Sequence, residues 1–231
     1  MEEYRNIDSI IRSFKDENLQ FRLNSFMEQV VNFFNNNPEL INIVHSLKHR
    51  IKDKDHLKEK ILRKLQTQPD RTITCDNYLD EITDLVGVRV LHLYQAQFEK
   101  IHNEINNQVE HNKEWELVER PKAYTWDPET KEFYDSLGID TELKDSFYTS
   151  VHYVIKPNNV ASSIKCEIQV RTLFEEVWGE IDHSINYPQA TSSIACKEQL
   201  RVLSKLISTG GRLVDSIIKS YEEFKGFDAH H

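Results

Sequence analysis

Between residues 164 and 171 the chain alternates strictly: Ile164, Cys166, Ile168 and Val170 are apolar, and Lys165, Glu167, Gln169 and Arg171 are polar. A period of two is that of a strand with one buried and one polar face. Glu167, Gln169 and Arg171 then project from one side, about 7 Å apart at each two-residue step. A single ligand there could meet a carboxylate, an amide and a guanidinium. The period changes at Thr172, where Thr172 and Glu175 have the spacing of a capping box and Phe174, Val177, Trp178, Ile181 and Ile185 recur at helical spacing. A polar strand face running into an amphipathic helix can wall an active site; the same pattern also fits an edge strand with a solvated face.

The rest of the chain supplies elements around this stretch. Residues 8–36 are predicted helical, with Phe21, Leu23, Phe26, Val30, Val31, Phe33 and Phe34 as apolar faces and Asn35-Asn36-Asn37-Pro38 as the stop. A short helix is predicted over 40–47. The densely charged stretch 48–64 follows as a helix, with Leu57, Ile61 and Leu65 on one face and Lys60, Arg63 and Lys64 crowded on the rest. Such crowding fits a solvated cationic helix or a polyphosphate site. Residues 70–83 are polar and turn-like. Asp84 heads a Val/Leu-rich run ending at Leu93, which places a carboxylate at the start of a buried strand, a position suited to a metal ligand or simply to a turn.

A crossover helix is predicted over 95–107, with Phe98, Ile101 and Ile105 buried, and a strand from Trp115. Residues 120–144 show no sustained period and are predicted to form a long aromatic-rich loop. Residues 148–155 alternate again and pair with the opening strand as a hairpin turned at Pro157-Asn158-Asn159. The segment 195–226 has helical spacing, kinked or split at Gly210-Gly211. The fold class is therefore α/β (α+β): a mixed sheet flanked by helices, with a core domain over 41–190, an N-terminal helical segment over 1–40 and a C-terminal one over 191–231.

The 231 residues carry a net charge of -9, which argues against a generic nucleic-acid binder while leaving room for local basic patches. Cys75, Cys166 and Cys196 lack metal-ligand spacing and are read as reduced thiols. The first residues lack signal-peptide features, and no apolar run approaches the ~18 residues of a membrane span. A soluble, cytoplasmic protein without membrane contact is the expectation.

Four segments, in order, resemble the signatures of the RelA/SpoT-type alarmone synthetases. Glu167-Ile-Gln-Val-Arg171-Thr172, with Trp178 and His183 downstream, is similar to "EIQ(I/V)RT…W…(E/D)H". Arg50-Ile-Lys52 followed by Lys60 resembles "R-x-K…S-(I/L)-x-x-K", with His56 where the family usually has Ser. Asp84-Leu-Val-Gly87-Val-Arg89 resembles "D-(I/L)-x-G-(I/V)-R", and Lys144 to His152 resembles "K-x-x-G-Y-x-S-x-H", with Phe147 in place of Gly before Tyr148. The match spans about residues 45–190.

The resemblance implies a nucleotidyltransferase-like synthetase core of the single-domain kind. It would move the β,γ-pyrophosphate of ATP to the ribose 3′-hydroxyl of GDP or GTP, making (p)ppGpp and releasing AMP. ATP would be held by Arg50, Lys52, Lys60, Arg63, Lys64 and Arg89. Mg²⁺ would sit on Asp84, with Glu167 as the base for the 3′-hydroxyl or as a second metal ligand. The acceptor would be met by Lys144, Tyr148, Ser150, His152, Gln169 and Arg171, with Tyr148 as the stacking face for the base. No His-Asp dipeptide occurs, so the family's hydrolase motif is missing. Two alternatives stand beside this: a toxin-type relative acting on the tRNA 3′ end or adenine nucleotides, and a non-catalytic nucleotide- or partner-binding module. The C-terminal amphipathic segment offers a surface for homo-oligomers or for packing within the chain.

Overall fold

The computed structural model describes residues 2–68, 70–158, 164–187 and 189–228. A seven-stranded mixed sheet runs in the order β1-β2-β7-β6-β4-β5, with β3 paired to β6. The strands are β1 (Val44–Ile51), β2 (Val86–His92), β3 (Trp115–Leu117), β4 (Lys122–Thr125), β5 (Asp140–Leu143), β6 (Ser150–Pro157) and β7 (Cys166–Thr172). The helices are α1 (Glu2–Phe14), α2 (Glu17–Asn36), α3 (Lys54–Thr67), α4 (Tyr78–Glu81), α5 (Gln97–Glu110), α6 (Pro128–Ser136), α7 (Leu173–Asn186) and α8 (Ile194–Asp228). β2 and β7 are parallel, as are β4 and β5; the other pairs are antiparallel.

The alternation read at 164–171 decides which way this sheet faces. Cys166, Ile168 and Val170 of β7 are fully buried beside Val86, Val88 and Val90 of β2 and Val151, Tyr153 and Ile155 of β6. The same core receives Leu23, Phe26, Val30 and Phe34 from α2 and Phe98, Ile101 and Ile105 from α5. The Tyr153 hydroxyl would be stranded there were it not bonded to His102 Nδ1 of α5 at 2.7 Å. The opposite face carries the charges. There α7 packs across β2 and β7, started by the expected capping box, with Glu175 N–H donating to Thr172 Oγ1 and Thr172 N–H donating to Glu175.

Several expectations are corrected. The predicted helix over 40–47 is a turn leading into β1; an edge strand paired only with β2 needs no regular apolar period. The charged stretch is therefore strand to Ile51 and helix only from Lys54, with Asp53 as N-cap. Residues 8–36 break into two helices at Asp16, which caps α2 by accepting from Leu19 N–H. The long loop expected over 120–144 is β4, α6 and β5: Asp127 caps α6, Pro128 opens it, and Gly138 at φ +76° stops it. Lys165, assigned to the polar face, is buried with its ammonium on the Asp80 carboxylate at 2.9 Å. The turn expected at Pro157–Asn159 lies partly outside the described residues.

The C-terminal helix is also unbroken. α8 runs through Gly210 and Gly211, since Leu200, Ser204 and Ile207 seat it against the body while Val202, Leu206, Leu213, Ile217 and Phe224 stay exposed. A methyl added at Gly211 meets nothing within 4 Å. Gly211→Ala is thus expected to stabilise by about 1 kcal/mol through helix propensity, raising Tm by roughly 2–4 °C in a calorimetric scan; a lower Tm would mean that the helix needs a bend there.

Candidate active site

Register places the charged residues in rows. Lys48 of β1 pairs with Arg89 of β2, Arg89 with Gln169 of β7, Gln169 with His152 of β6, and His152 with Lys122 of β4. One row along, Arg50 pairs with Gly87 and Gly87 with Glu167. Over these rows lies an open cleft of about 610 Å³, roofed by α7 and also lined by Asp84, Tyr148 and Arg171. Gly87 leaves the floor low between Arg50 and Glu167, where any larger residue would project into the cleft.

Asp84 precedes β2 and faces two cations. Lys52, which continues the β1–β2 pairing through its N–H to Leu85 O at 2.8 Å, reaches Asp84 Oδ2 at 3.0 Å, and Lys60 of α3 reaches the same oxygen at 2.7 Å. Burial pushes the Asp84 carboxyl up, and the two ammonium groups more than offset it, leaving its pKa below the ordinary value. Its Oδ1 is buried with no hydrogen-bond partner among the described residues. An orphaned carboxylate oxygen beside two ammonium groups fits a magnesium ion. No group of three His, Cys, Asp or Glu side chains among the described residues could hold a metal. Phosphate oxygens and water would therefore complete the shell, the usual way this ion binds at phosphate sites.

Glu167 lies in the middle of the sheet within a polar chain. His152 Nδ1 is 3.4 Å from its Oε1, Gln169 donates to its Oε2 at 2.7 Å, and His152 Nε2 is 2.9 Å from the Tyr148 hydroxyl. Burial raises the Glu167 pKa, His152 and Gln169 lower it, and the net shift is downward despite the charge on Asp84. The lowered pKa keeps the Glu167 carboxylate in its charged form. Tyr148 follows Phe147, which stands at φ +56°, a conformation that costs a non-glycine residue of order 1–3 kcal/mol. The Phe147 ring packs edge-on to Trp126 at 5.3 Å and lines a separate small cavity, while Tyr148 lines the cleft. The Phe147 side chain thus points away from the cleft that Tyr148 lines.

A second set of cations gathers on α7. Glu176 holds Lys48 at 2.7 Å, Arg89 at 2.8 Å and Arg171 at 2.6 Å, one cation from each of three adjacent strands. Burial raises its pKa, and these cations outweigh burial, so it stays charged. Sequence reasoning missed Glu176, Glu180 and Lys48. The available signal was two carboxylates at i and i+4 on a helix joined directly to a strand that ends on Arg171-Thr172. It also mistook the buried face of α7: Phe174, Val177 and Ile181 are exposed, while Trp178 is buried with its indole N–H donating to Leu200 O at 3.1 Å.

Not every expected residue reaches the cleft. Lys64 is bound to the backbone oxygen of Glu81, Ser150 is wholly buried, and Lys144 pairs with Glu142 above the Tyr124 ring. Arg63 is exposed on α3. Tyr124, unremarked in the sequence, sets its ring edge-on to His152 at 5.0 Å.

This sheet face gathers cations about two carboxylates, Asp84 and Glu176, an arrangement whose charges complement an anion. The family described as "Region found in RelA / SpoT proteins" matches residues 49–192, and the chain belongs to that family. Its fold is similar to small alarmone synthetase 1 from Bacillus subtilis, at TM-score 0.61 and 18% identity over 88% of this chain and 94% of that one. It is also similar to a GTP pyrophosphokinase family protein from Streptococcus pneumoniae, at TM-score 0.60 and 17% identity over 89% and 93% of the two chains. The Bacillus subtilis enzyme bound to its product pppGpp matches at TM-score 0.58 and 19% identity over 93% and 97%. No protein of curated function matches the chain.

Asp84→Asn would leave the buried Lys52 ammonium without its counter-charge. The expected cost is about 2 kcal/mol, seen as a lower urea midpoint with an unchanged slope. An unchanged midpoint would show that the ion pair contributes nothing to folding.

Proposed function

We propose that this chain is a pyrophosphokinase that moves the β,γ-pyrophosphate of ATP to the ribose 3′-hydroxyl of GDP or GTP and has no hydrolase activity. The observation that carries the reading is Asp84, with one oxygen between Lys52 and Lys60 and the other orphaned, in the same cleft as an ionised Glu167. Family membership and the product pppGpp bound by the Bacillus subtilis relative support it.

On this reading Lys52, Lys60 and Arg50 bind and align the triphosphate, and Arg89 joins them across β1 and β2. Asp84, with or without Glu167, would hold magnesium, which when bound neutralises phosphate charge and draws electron density from the β-phosphorus. Tyr148 offers its face to the acceptor base, worth about 1–3 kcal/mol. Glu167 takes the proton of the 3′-hydroxyl as that oxygen bonds to the β-phosphorus, and the bond from the β-phosphorus to the α,β-bridging oxygen breaks. That oxygen leaves on AMP. His152 keeps Glu167 oriented and ties it to Tyr148, so that base and stacking platform move together. No helix among the described residues is long and apolar enough to cross a membrane, and we place the enzyme in the cytoplasm.

The test is incubation with γ-labelled ATP and magnesium against GDP, GTP, AMP, ADP and bulk tRNA, with products separated by charge and size. Label on GDP or GTP is the expected outcome. Label on tRNA or an adenine nucleotide would reassign the acceptor, and none on any would reject the enzyme. Glu167→Gln is expected to lower transfer by at least about 100-fold, the scale of general-base catalysis, while ATP binding by calorimetry stays within a few-fold; retained turnover would remove Glu167 from the role.

A further inference from the structure

Helix α7 lays two carboxylates over one end of the cleft, a single turn apart. Both contact the same cations: Glu176 is 2.7 Å from Lys48 and 2.8 Å from Arg89, and Glu180 is 3.3 Å and 3.0 Å from them. Their surroundings differ. The Glu176 side chain keeps 6% of its exposure and the Glu180 side chain 55%. Glu180 lines the cleft wall.

Only Glu176 also holds Arg171, at 2.6 Å. That guanidinium is buried against α7 because position 179 is glycine: a Cβ there would lie 2.7 Å from Arg171 Nη1. Arg171 Nε has no hydrogen-bond partner among the described residues, and the guanidinium meets Glu176 through Nη2 as its ion pair. The two glutamates therefore share a charge, a helix and two partners, and differ in whether water or protein surrounds them.

We propose that they act in opposite directions on polyphosphate binding. Glu176 is a positioning residue that keeps Lys48, Arg89 and Arg171 in the arrangement a polyphosphate meets, and Glu180 is a counter-ion that the polyphosphate displaces. The inference rests on the reading that this cleft binds nucleotide polyphosphates. An exposed ion pair is screened and weak, so an incoming phosphate exchanges with Glu180 at little cost. Removing Glu176 instead takes the ion-pair partner from the buried Arg171 and leaves Lys48 and Arg89 with only the exposed Glu180, so the three cations lose the one group that holds them together.

Glu176→Gln and Glu180→Gln remove the same charge from the same cleft, so each raises the long-range attraction for an anion by a similar amount. Any difference in sign reports geometry. The experiment is calorimetric titration of the full chain with inorganic tripolyphosphate and, separately, with a non-hydrolysable ATP analogue. Glu180→Gln is expected to bind about threefold tighter, Glu176→Gln about tenfold weaker, and Glu176→Asp between wild type and Glu176→Gln. Tighter binding by Glu176→Gln, equal shifts in both variants, or no tripolyphosphate binding by the wild type would overturn the proposal.

If Glu176→Gln does not fold, as circular dichroism would show, Gly179→Ala decides. Its methyl dislodges Arg171 alone, and weaker tripolyphosphate binding supports the positioning role while unchanged affinity refutes it. The labelled-transfer assay on the wild type keeps the two readings apart. Opposite shifts without transfer to any acceptor would sink the enzyme and leave the division of labour standing; transfer with shifts of one sign would do the reverse.

Discussion

Like-charge repulsion is the constraint on which this structure turns. Lys48, Arg50, Lys52, Lys60, Arg89 and Arg171 converge on one side of the sheet, and at an effective dielectric near 20 two such charges 4 Å apart repel by about 4 kcal/mol. Two carboxylates answer it. Asp84 takes the pair nearest the start of β2, and Glu176 takes one cation from each of β1, β2 and β7. Arg50 is left without a carboxylate among the described residues. Glu180 adds an exposed carboxylate on Lys48 and Arg89, and Glu167 and Asp182 also line the cleft, so the repulsion is largely balanced within the site itself.

That balance depends on backbone register more than on any side chain. A shift of one residue in β7 would send Glu167, Gln169 and Arg171 into the hydrocarbon core and bring Ile168 and Val170 out. The buried run Cys166, Ile168 and Val170 prevents it, and the capping box at Thr172 sets where α7 begins, which in turn decides that Glu176 stands over Arg89 and Arg171. Core packing on one face is what aligns charge on the other.

The legibility of each element follows its local physics. β7, the start of α7, β2 and α5 were readable because each presents a sustained period and a fully buried face. β4 and β5, four residues each, contain only two alternations, too few to distinguish from a loop. β1 is an edge strand whose charged residues face the cleft, and its composition imitates a cationic helix. Glu176 was illegible for a different reason. Periodicity located the apolar stripe of α7, but nothing in a single sequence says that the helix would meet a charged sheet face and bury its carboxylate while Phe174, Val177 and Ile181 remained outside. The cluster at Asp84 was readable only through the family resemblance, because the spacing of Lys52, Lys60 and Asp84 matches no element on its own.

β7 is hydrogen-bonded on both sides, parallel to β2 and antiparallel to β6. Prising it open means breaking two ladders at once, which places its amides among those that exchange with solvent only in the largest openings of the molecule. Arg50 and Glu180, by contrast, are exposed side chains, and such side chains reorient in picoseconds to nanoseconds. On the function proposed above, the carboxylate assigned to the proton is mounted on the slowest part of the protein, and Arg50, assigned to the triphosphate, on the fastest. Loading the cleft and holding its geometry are thus separated by many orders of magnitude in time, and neither has to be sacrificed to the other.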